Sequence, residues 1–122
     1  MNRGSVVTFA IMSLAGSLPA SAHHSAAAFD REHPYTLRGT IKEFTWTNPH
    51  IWVSVLVPDG KGGMDEYQLE GPGTSGMAHN GWNSKSLQPG DAAKFLVAPY
   101  KDGTKRGEFM AVWRGDGTLM KF

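Results

Sequence analysis

The stretch HIWVSVLVPDGKGGMDEYQLE, residues 50–70, decides the fold because it holds two strand patterns joined by a turn. In its first half, apolar residues recur at every second position, which is the period of a half-buried β-strand. The predicted core face comprises Ile51, Val53, Val55 and Val57, and the opposite face comprises His50, Trp52, Ser54 and Leu56. PDGKGG has turn composition, and MDEYQLE predicts a partner strand with Tyr67 and Leu69 inward. The stretch is therefore interpreted as a β-hairpin.

One strand is predicted before this hairpin. The segment YTLRGTIKEFTW, residues 35–46, alternates apolar and polar positions, and then Phe44 and Trp46 fall on the other parity. A change of parity inside a strand is typical of an extra, unpaired residue. We therefore expect a β-bulge near Glu43.

Two more strands and a short helix are predicted after the hairpin. MAHNGWNSKSL, residues 77–87, is too rich in Asn and Gly for more than one or two helical turns, and Pro89-Gly90 suits a type II turn. The remaining strands are AAKFLVAPY (92–100) and one within EFMAVWRGDGTLMKF (108–122). This order predicts an all-β, five-stranded OB-fold-like antiparallel barrel with a short helix between strands 3 and 4; a five- or six-stranded sandwich is the alternative. The predicted core includes Leu37, Ile41, Val53, Val55, Tyr67, Leu69, Phe95, Val97, Phe109 and Trp113.

The first 22 residues have the three regions of a secretory signal peptide. Arg3 supplies the positive charge, an apolar run follows, and the small-residue tract ASA at 20–22 matches a cleavage site. The apolar run is shorter than the roughly 20 residues of a membrane span, so no span is expected after processing. Cleavage is predicted before His23, with a cut inside 26–28 as the competing choice. The predicted organisation is a Sec-type bacterial signal peptide (1–22), an N-terminal arm (23–34) and a barrel domain (35–122) in the periplasm or outside the cell.

Charge and cysteine content exclude several functions. The chain has 12 basic and 11 acidic residues, and removal of residues 1–22 takes away one basic residue and no acidic one. The mature net charge of zero predicts no electrostatic surface for nucleic acid or anionic lipid. The chain has no cysteine, so neither disulfides, nor thiolate metal ligands, nor a cysteine nucleophile can occur. Any metal must be bound by histidine, carboxylate or the amino terminus.

Several motifs resemble those of a known family. HHSAAAFD, LRGTIKEFTWTNPHIWVSV and SLQPGD, in this order, are similar to segments of a family of small exported bacterial proteins described as a domain of unknown function. The resemblance implies export and an OB-like barrel, and it implies no activity. The resemblance leads us to expect a phenylalanine after His-His-Ser, where this chain has Ala26, and this departure predicts weaker docking of the arm.

Histidines provide the candidate metal ligands. Cleavage before His23 would expose its α-amino group and ring, which can chelate one ion, and His50 is positioned by the preceding Asn48-Pro49 at the start of a strand. This arrangement resembles the histidine brace of copper proteins, with His24 as an assisting ligand. Nitrogen ligands in tetragonal geometry suit Cu(II). The sequence thus suggests an exported copper carrier or store.

A metal-free binding module is the second hypothesis. A possible ligand face for a peptide, a glycan or an envelope protein lies close to His50 in the sequence. It comprises Trp46, Asn48 and Trp52. In this interpretation His50 only hydrogen-bonds the adjacent turn. No catalytic motif is present, so an enzyme is the least favoured class, and no catalytic residue is assigned. His33 and His79 are expected to be surface or capping residues.

Overall fold

The computed structural model describes residues 26–122, which form a small barrel. In chain order the elements are a 3₁₀ turn at Ala26–Ala28, β1 at Tyr35–Thr45, β2 at Trp52–Pro58, β3 at Met64–Glu70, α1 at Thr74–His79, β4 at Ala92–Pro99, β5 at Arg106–Arg114 and β6 at Leu119–Met120. The sheet order is β3-β2-β1-β4-β5-β6, and parallel pairing of β3 with β5 closes the barrel. The predicted all-β barrel, with a short helix between strands 3 and 4, is confirmed; the two-residue β6 pairs with the end of β5 and was not expected.

Strand β1 connects the two halves of the barrel. Its first half pairs with β4, and its second half pairs with β2 from Thr40 onward. At Gly39 the backbone passes so close to β2 that a Cβ atom would collide with the Leu56 carbonyl oxygen, so only glycine fits. The register with β2 shifts between Ile41 and Glu43, which confirms the predicted bulge and bends the strand around the barrel.

The core matches the predicted parity at most positions. Eight of the ten predicted core residues are buried, and Tyr67 is half-buried against them. Trp113 was assigned wrongly: it lies on the outer face, and Val112 points inward. The cause is a second bulge, because Leu96 pairs with Ala111 while the next residue of β4 pairs with Phe109. The extra residue reverses the parity of β5 beyond it.

Helix α1 begins three residues before the predicted helical segment. The last three residues of the glycine-rich stretch GPGTSG, residues 71–76, form the first turn of α1. Asn48, from the loop between β1 and β2, supplies the missing cap: its Oδ1 accepts hydrogen bonds from the Thr74 amide at 2.9 Å and the Thr74 hydroxyl at 3.0 Å. Met77 of the helix and Trp82 after it are buried in the main core, so this segment packs against the barrel.

Residues 28–31 pack on the outside of the barrel. Phe29 forms a β-bridge with Tyr100 and packs edge-on against its ring at a centroid distance of 4.8 Å. The Asp30 amide donates to the Pro99 carbonyl at 2.8 Å, and Arg31 forms a two-bond ion pair with Glu108. The predicted signal peptide and the start of the arm lie outside the described residues. Within residues 26–122, no helix is long and apolar enough to span a membrane.

Candidate functional site

His50 is oriented by two oxygen acceptors. It immediately precedes Ile51, whose backbone pairs with Gly71 and Pro72 after the end of β3. The His50 Nδ1 atom lies 3.1 Å from the Gly71 carbonyl oxygen and 3.4 Å from Glu70 Oε1. Because both neighbours can only accept, Nδ1 carries the proton, and in the neutral ring Nε2 carries the lone pair. The His50 side chain is 42% exposed, so a ligand can approach the ring from solvent.

Glu70 is the buried acid beside His50. Its side chain is only 5% exposed, although it lies at the end of β3 on the outer face of the barrel. Oε1 faces His50, and the buried Oε2 accepts no hydrogen bond of normal geometry within residues 26–122. The Tyr100 hydroxyl is close enough to sense this carboxylate: its pKa is raised first by burial and then by the charge of Glu70.

A second ion pair lies next to Glu70. Glu108 of β5 is the register partner of Glu70 in the parallel pairing, so two carboxylates occupy adjacent strands. Arg31 donates to both oxygens of Glu108, from Nε at 2.8 Å and from Nη2 at 3.0 Å. This contact raises the pKa of the guanidinium and reduces the repulsion between the two acids.

These residues line a cavity of about 480 Å³. Its polar lining comes from the two acids with their partners, and its apolar lining comes mainly from three phenylalanine rings. The lining side chains are Phe29, Arg31, His50, Glu70, Glu108, Phe109, Met110 and Phe122. The cavity therefore lies between the docked arm and the barrel wall, and His50 is at its edge.

The three residues of the predicted ligand face have different surroundings. Trp52 shares the outer face with His50 and lies opposite Glu70 in the β2–β3 register. Trp46 is half-buried and packs against Phe44 at a ring distance of 6.1 Å. Asn48 is used as the cap of α1. The structure thus places Trp52 next to the candidate site, whereas Asn48 has a structural contact and Trp46 packs against the barrel end.

Two of the predicted metal ligands, His23 and His24, lie outside the described residues. Among residues 26–122 there is no group of three or more His, Asp or Glu side chains able to hold a metal ion. His33 is exposed and contacts Asp30 through Nδ1 at 3.0 Å, and His79 is exposed at the end of α1. His50 is therefore the described histidine with a free, oriented ring nitrogen next to a cavity.

The sequence profile of a family of unknown function, DUF6152, matches residues 10–109. The chain belongs to this family. No curated protein matches it. The profile match confirms the predicted resemblance to a family of unknown function.

Sequence reasoning on this DUF6152 chain missed the acidic residues of the site. Glu70 has the parity of Glu66 and Gln68, which predicts an outer-face, solvated side chain. It is nevertheless buried, and Phe29 and Arg31 of the arm line the same cavity as Glu70. The available signal was weak: Phe29 is a large apolar residue in an otherwise polar and Ala-rich arm, which indicates a docked segment.

Proposed function

We propose that the exported mature chain binds one Cu(II) ion through the α-amine and ring of His23 and through His50, with His24 assisting. The protein acts as a copper carrier or store in the periplasm or outside the cell. The observation that carries this proposal is the orientation of the His50 ring. Its Nδ1–H is held by the Gly71 carbonyl and Glu70, which leaves Nε2 as the metal-binding atom.

The surroundings of His50 have the form expected of a metal ligand. Histidines that bind metals usually donate their second ring N–H to a carboxylate or a backbone carbonyl, which fixes the tautomer and the ring direction. In this protein Nδ1 of His50 faces both kinds of acceptor, the Gly71 carbonyl and the Glu70 carboxylate. The negative charge of Glu70 also makes the ring a stronger donor to a cation.

The docked arm supports the pairing of His50 with His23. Phe29 lines the same cavity as His50, and His23 precedes Phe29 by six residues. At about 3.3 Å per residue, this length spans at most roughly 20 Å. The attachment at Phe29 therefore keeps the new amino terminus at a high local concentration beside His50.

Copper is the metal that this donor set favours. An amine and imidazole nitrogens form a compact set for tetragonal Cu(II), which also heads the affinity order of the divalent ions. The chain contains no cysteine, so no thiolate competes for the ion.

The test is a copper titration of four chains, with Cu(II) coordination followed by electron paramagnetic resonance. The mature chain should bind one ion with nitrogen hyperfine structure, and His50→Ala should lose affinity. A Gly-Ser extension leaves every imidazole intact but moves the terminal amine away from His23, so it should also weaken binding strongly. His33→Ala is the matched control, because its exposed ring contacts Asp30, and it should bind like the mature chain.

Two outcomes would contradict the proposal. Equal affinity in all four chains would leave only adventitious histidine binding. Intact mass and N-terminal sequencing of protein exported from its own signal give the second check. A mature chain that begins at Ala27 or later would lack both His23 and His24.

The size of the cavity favours a metal-free binding module as the second candidate. About 480 Å³ lined by three phenylalanine rings and two acidic side chains is typical of a site for part of a peptide or glycan. Metal-free mature protein should then bind its partner with an affinity that Phe29→Ala lowers and His50→Ala leaves nearly unchanged. Partner affinity that His50→Ala lowers and Phe29→Ala leaves nearly unchanged would favour the copper site.

A further inference from the structure

A row of cationic and aromatic side chains crosses the outer face of the barrel, away from His50. Arg38 of β1 lies opposite Lys94 of β4, and Lys94 lies opposite Trp113 of β5. Like charges directly opposite each other destabilise a sheet. Within residues 26–122, neither Arg38 nor Lys94 forms an ion pair with a carboxylate. The row therefore carries uncompensated positive charge.

Lys94 is restrained by its aromatic neighbour. Its Nζ atom lies 4.1 Å from the centroid of the Trp113 ring, which is a cation–π contact. A free lysine side chain loses considerable rotamer entropy when a ligand immobilises it. Because Lys94 is already held, an anion that contacts its ammonium group would meet a smaller entropic cost.

A cavity of about 220 Å³ opens beside this row. Arg38, Lys94 and Arg114 all line it, its other lining residues are glycines, alanines and Trp113, and none of the lining residues is acidic. Arg114 donates from Nη1 to the Ser86 carbonyl at 3.2 Å, which restrains its guanidinium group. Three cations from three different strands thus surround one small space.

We propose that this cavity binds a phosphate group, carried by a small soluble ligand or by a lipid headgroup. Three cations suit a dianion better than a single carboxylate, and the planar guanidinium of Arg38 can donate two parallel hydrogen bonds to phosphate oxygens. The proposal is independent of copper, because none of these residues contacts His50 or its cavity.

The surrounding charges limit the ligand to one phosphate group. Asp91 and Asp116 line the adjacent cavity, which Arg114 also borders, so the cationic surface ends there. A single-stranded nucleic acid needs a continuous cationic track with several stacking rings, and this face offers one indole. A single phosphate therefore fits the patch, and a polyanion does not.

The experiment titrates the folded mature chain with sodium phosphate at constant ionic strength. Binding is followed by the NMR shifts of the Trp113 indole N–H and of nearby backbone amides. The expected result is a saturable shift confined to this face, with an affinity that falls about tenfold or more in Arg38→Ala and in Lys94→Ala. Lys61→Ala is the matched control, because it removes one exposed positive charge from the β2–β3 turn, and it should bind phosphate normally.

Vesicles that contain phosphatidic acid separate the two sources of phosphate, with phosphatidylcholine vesicles as the reference. If the protein binds phosphatidic acid vesicles and Arg38→Ala abolishes this binding, the ligand is a lipid phosphate. If the protein binds sodium phosphate but not the vesicles, the ligand is soluble. Four results would overturn the proposal: an equal response to sodium chloride, an equal loss in Lys61→Ala, unchanged phosphate affinity in Arg38→Ala, or vesicle binding that does not depend on Arg38.

Discussion

At the scale of single residues, the burial of Glu70 has the largest consequence for the candidate site. A carboxyl group that is only 5% exposed needs hydrogen-bond donors to offset the free energy lost when it leaves water. His50 donates toward its Oε1, while Arg31 pairs with Glu108, the neighbouring acid. Glu70 therefore serves as a positioning residue, because it holds the ring of His50 and does not itself contact the proposed ion.

Replacement of Glu70 by glutamine tests this role. Glu70→Gln preserves volume and an acceptor oxygen but removes the charge, so the ring stays in place and becomes a poorer donor. We expect Cu(II) affinity to fall roughly 10- to 100-fold, as for other partners of metal-bound histidines, with competition calorimetry as the measurement. Glu32→Gln, at an exposed position of the arm, is the control. Unchanged copper affinity in folded Glu70→Gln would remove Glu70 from the site.

At the scale of elements, the two bulges determine which side chains reach the core. The bulge of β1 bends that strand so that it pairs with β4 at one end and β2 at the other. The irregularity between β4 and β5 places Phe109 and Val112 inward and Trp113 outward. One extra residue in β5 is sufficient to move an indole from the core to the surface.

A pair of truncations tests this assignment of faces. Phe95 is fully buried, so Phe95→Ala should lower the free energy of unfolding by about 3 to 5 kcal/mol through the cavity it leaves. Trp113 is half-buried on the outer face, so Trp113→Ala leaves no closed cavity and should cost less, about 1 to 2 kcal/mol. Urea denaturation measures both values. Equal costs would mean that Trp113 belongs to the core after all.

The outer face of β1–β3 holds a polar network centred on Glu66. Lys42 Nζ lies 2.6 Å from Oε2, and the Ser54 hydroxyl and the Gln68 amide both donate to Oε1. The hydrogen bond from Lys42, followed by those from Ser54 and Gln68, lowers the pKa of Glu66 below its ordinary value of 4.5. The network therefore favours the charged form of Glu66 in the folded state.

This lowered pKa predicts how stability depends on pH. Because the folded pKa lies below the unfolded one, the contribution of Glu66 is complete above the unfolded value and is lost as pH falls through the folded value. Glu66→Gln should therefore show a smaller fall in unfolding free energy below about pH 4.5 than the unmodified chain. Parallel pH dependences of the two proteins in urea titrations would contradict the assignment.

At the scale of the whole molecule, the docked arm and the closed barrel together create the main cavity. Residues 28–31 add a β-bridge, an aromatic contact and an ion pair to the outside of the barrel. Phe29 and Arg31 of the arm line the same cavity as His50 and Glu70 of the barrel. The candidate site is therefore an interface between two distant parts of one chain.

Removal of the Phe29 ring should release the arm and leave the barrel folded. Phe29 and Tyr100 belong to a small apolar cluster that is separate from the main core. In Phe29→Ala the amides of Asp30 and Lys101, which bond to Pro99 and Ala28, should exchange hydrogen much faster, while amides of the central strands keep their protection. Global loss of protection would show that the arm is required for folding of the barrel.

The sequence was sufficient to predict features that depend on neighbouring residues. The alternation in β1 and β2, the bulge near Glu43 and the turn at Pro89-Gly90 all follow from local periodicity and turn chemistry. The turn is present, with the Asp91 amide bonded to the Gln88 carbonyl and Gly90 at a φ of 93°. The choice of His50 as a candidate ligand also rests on a local property, its place after Asn48-Pro49, and its role as a ligand stays a prediction.

Only the tertiary structure decided the features that join distant segments. Four features depend on contacts between residues far apart in the chain. They are the closure of the barrel by β3 and β5, the outward position of Trp113, the use of Asn48 as a helix cap and the burial of Glu70. Local periodicity specifies which residues share a face of a strand. It does not specify what covers that face, because burial depends on which distant segment packs against it once the chain has closed.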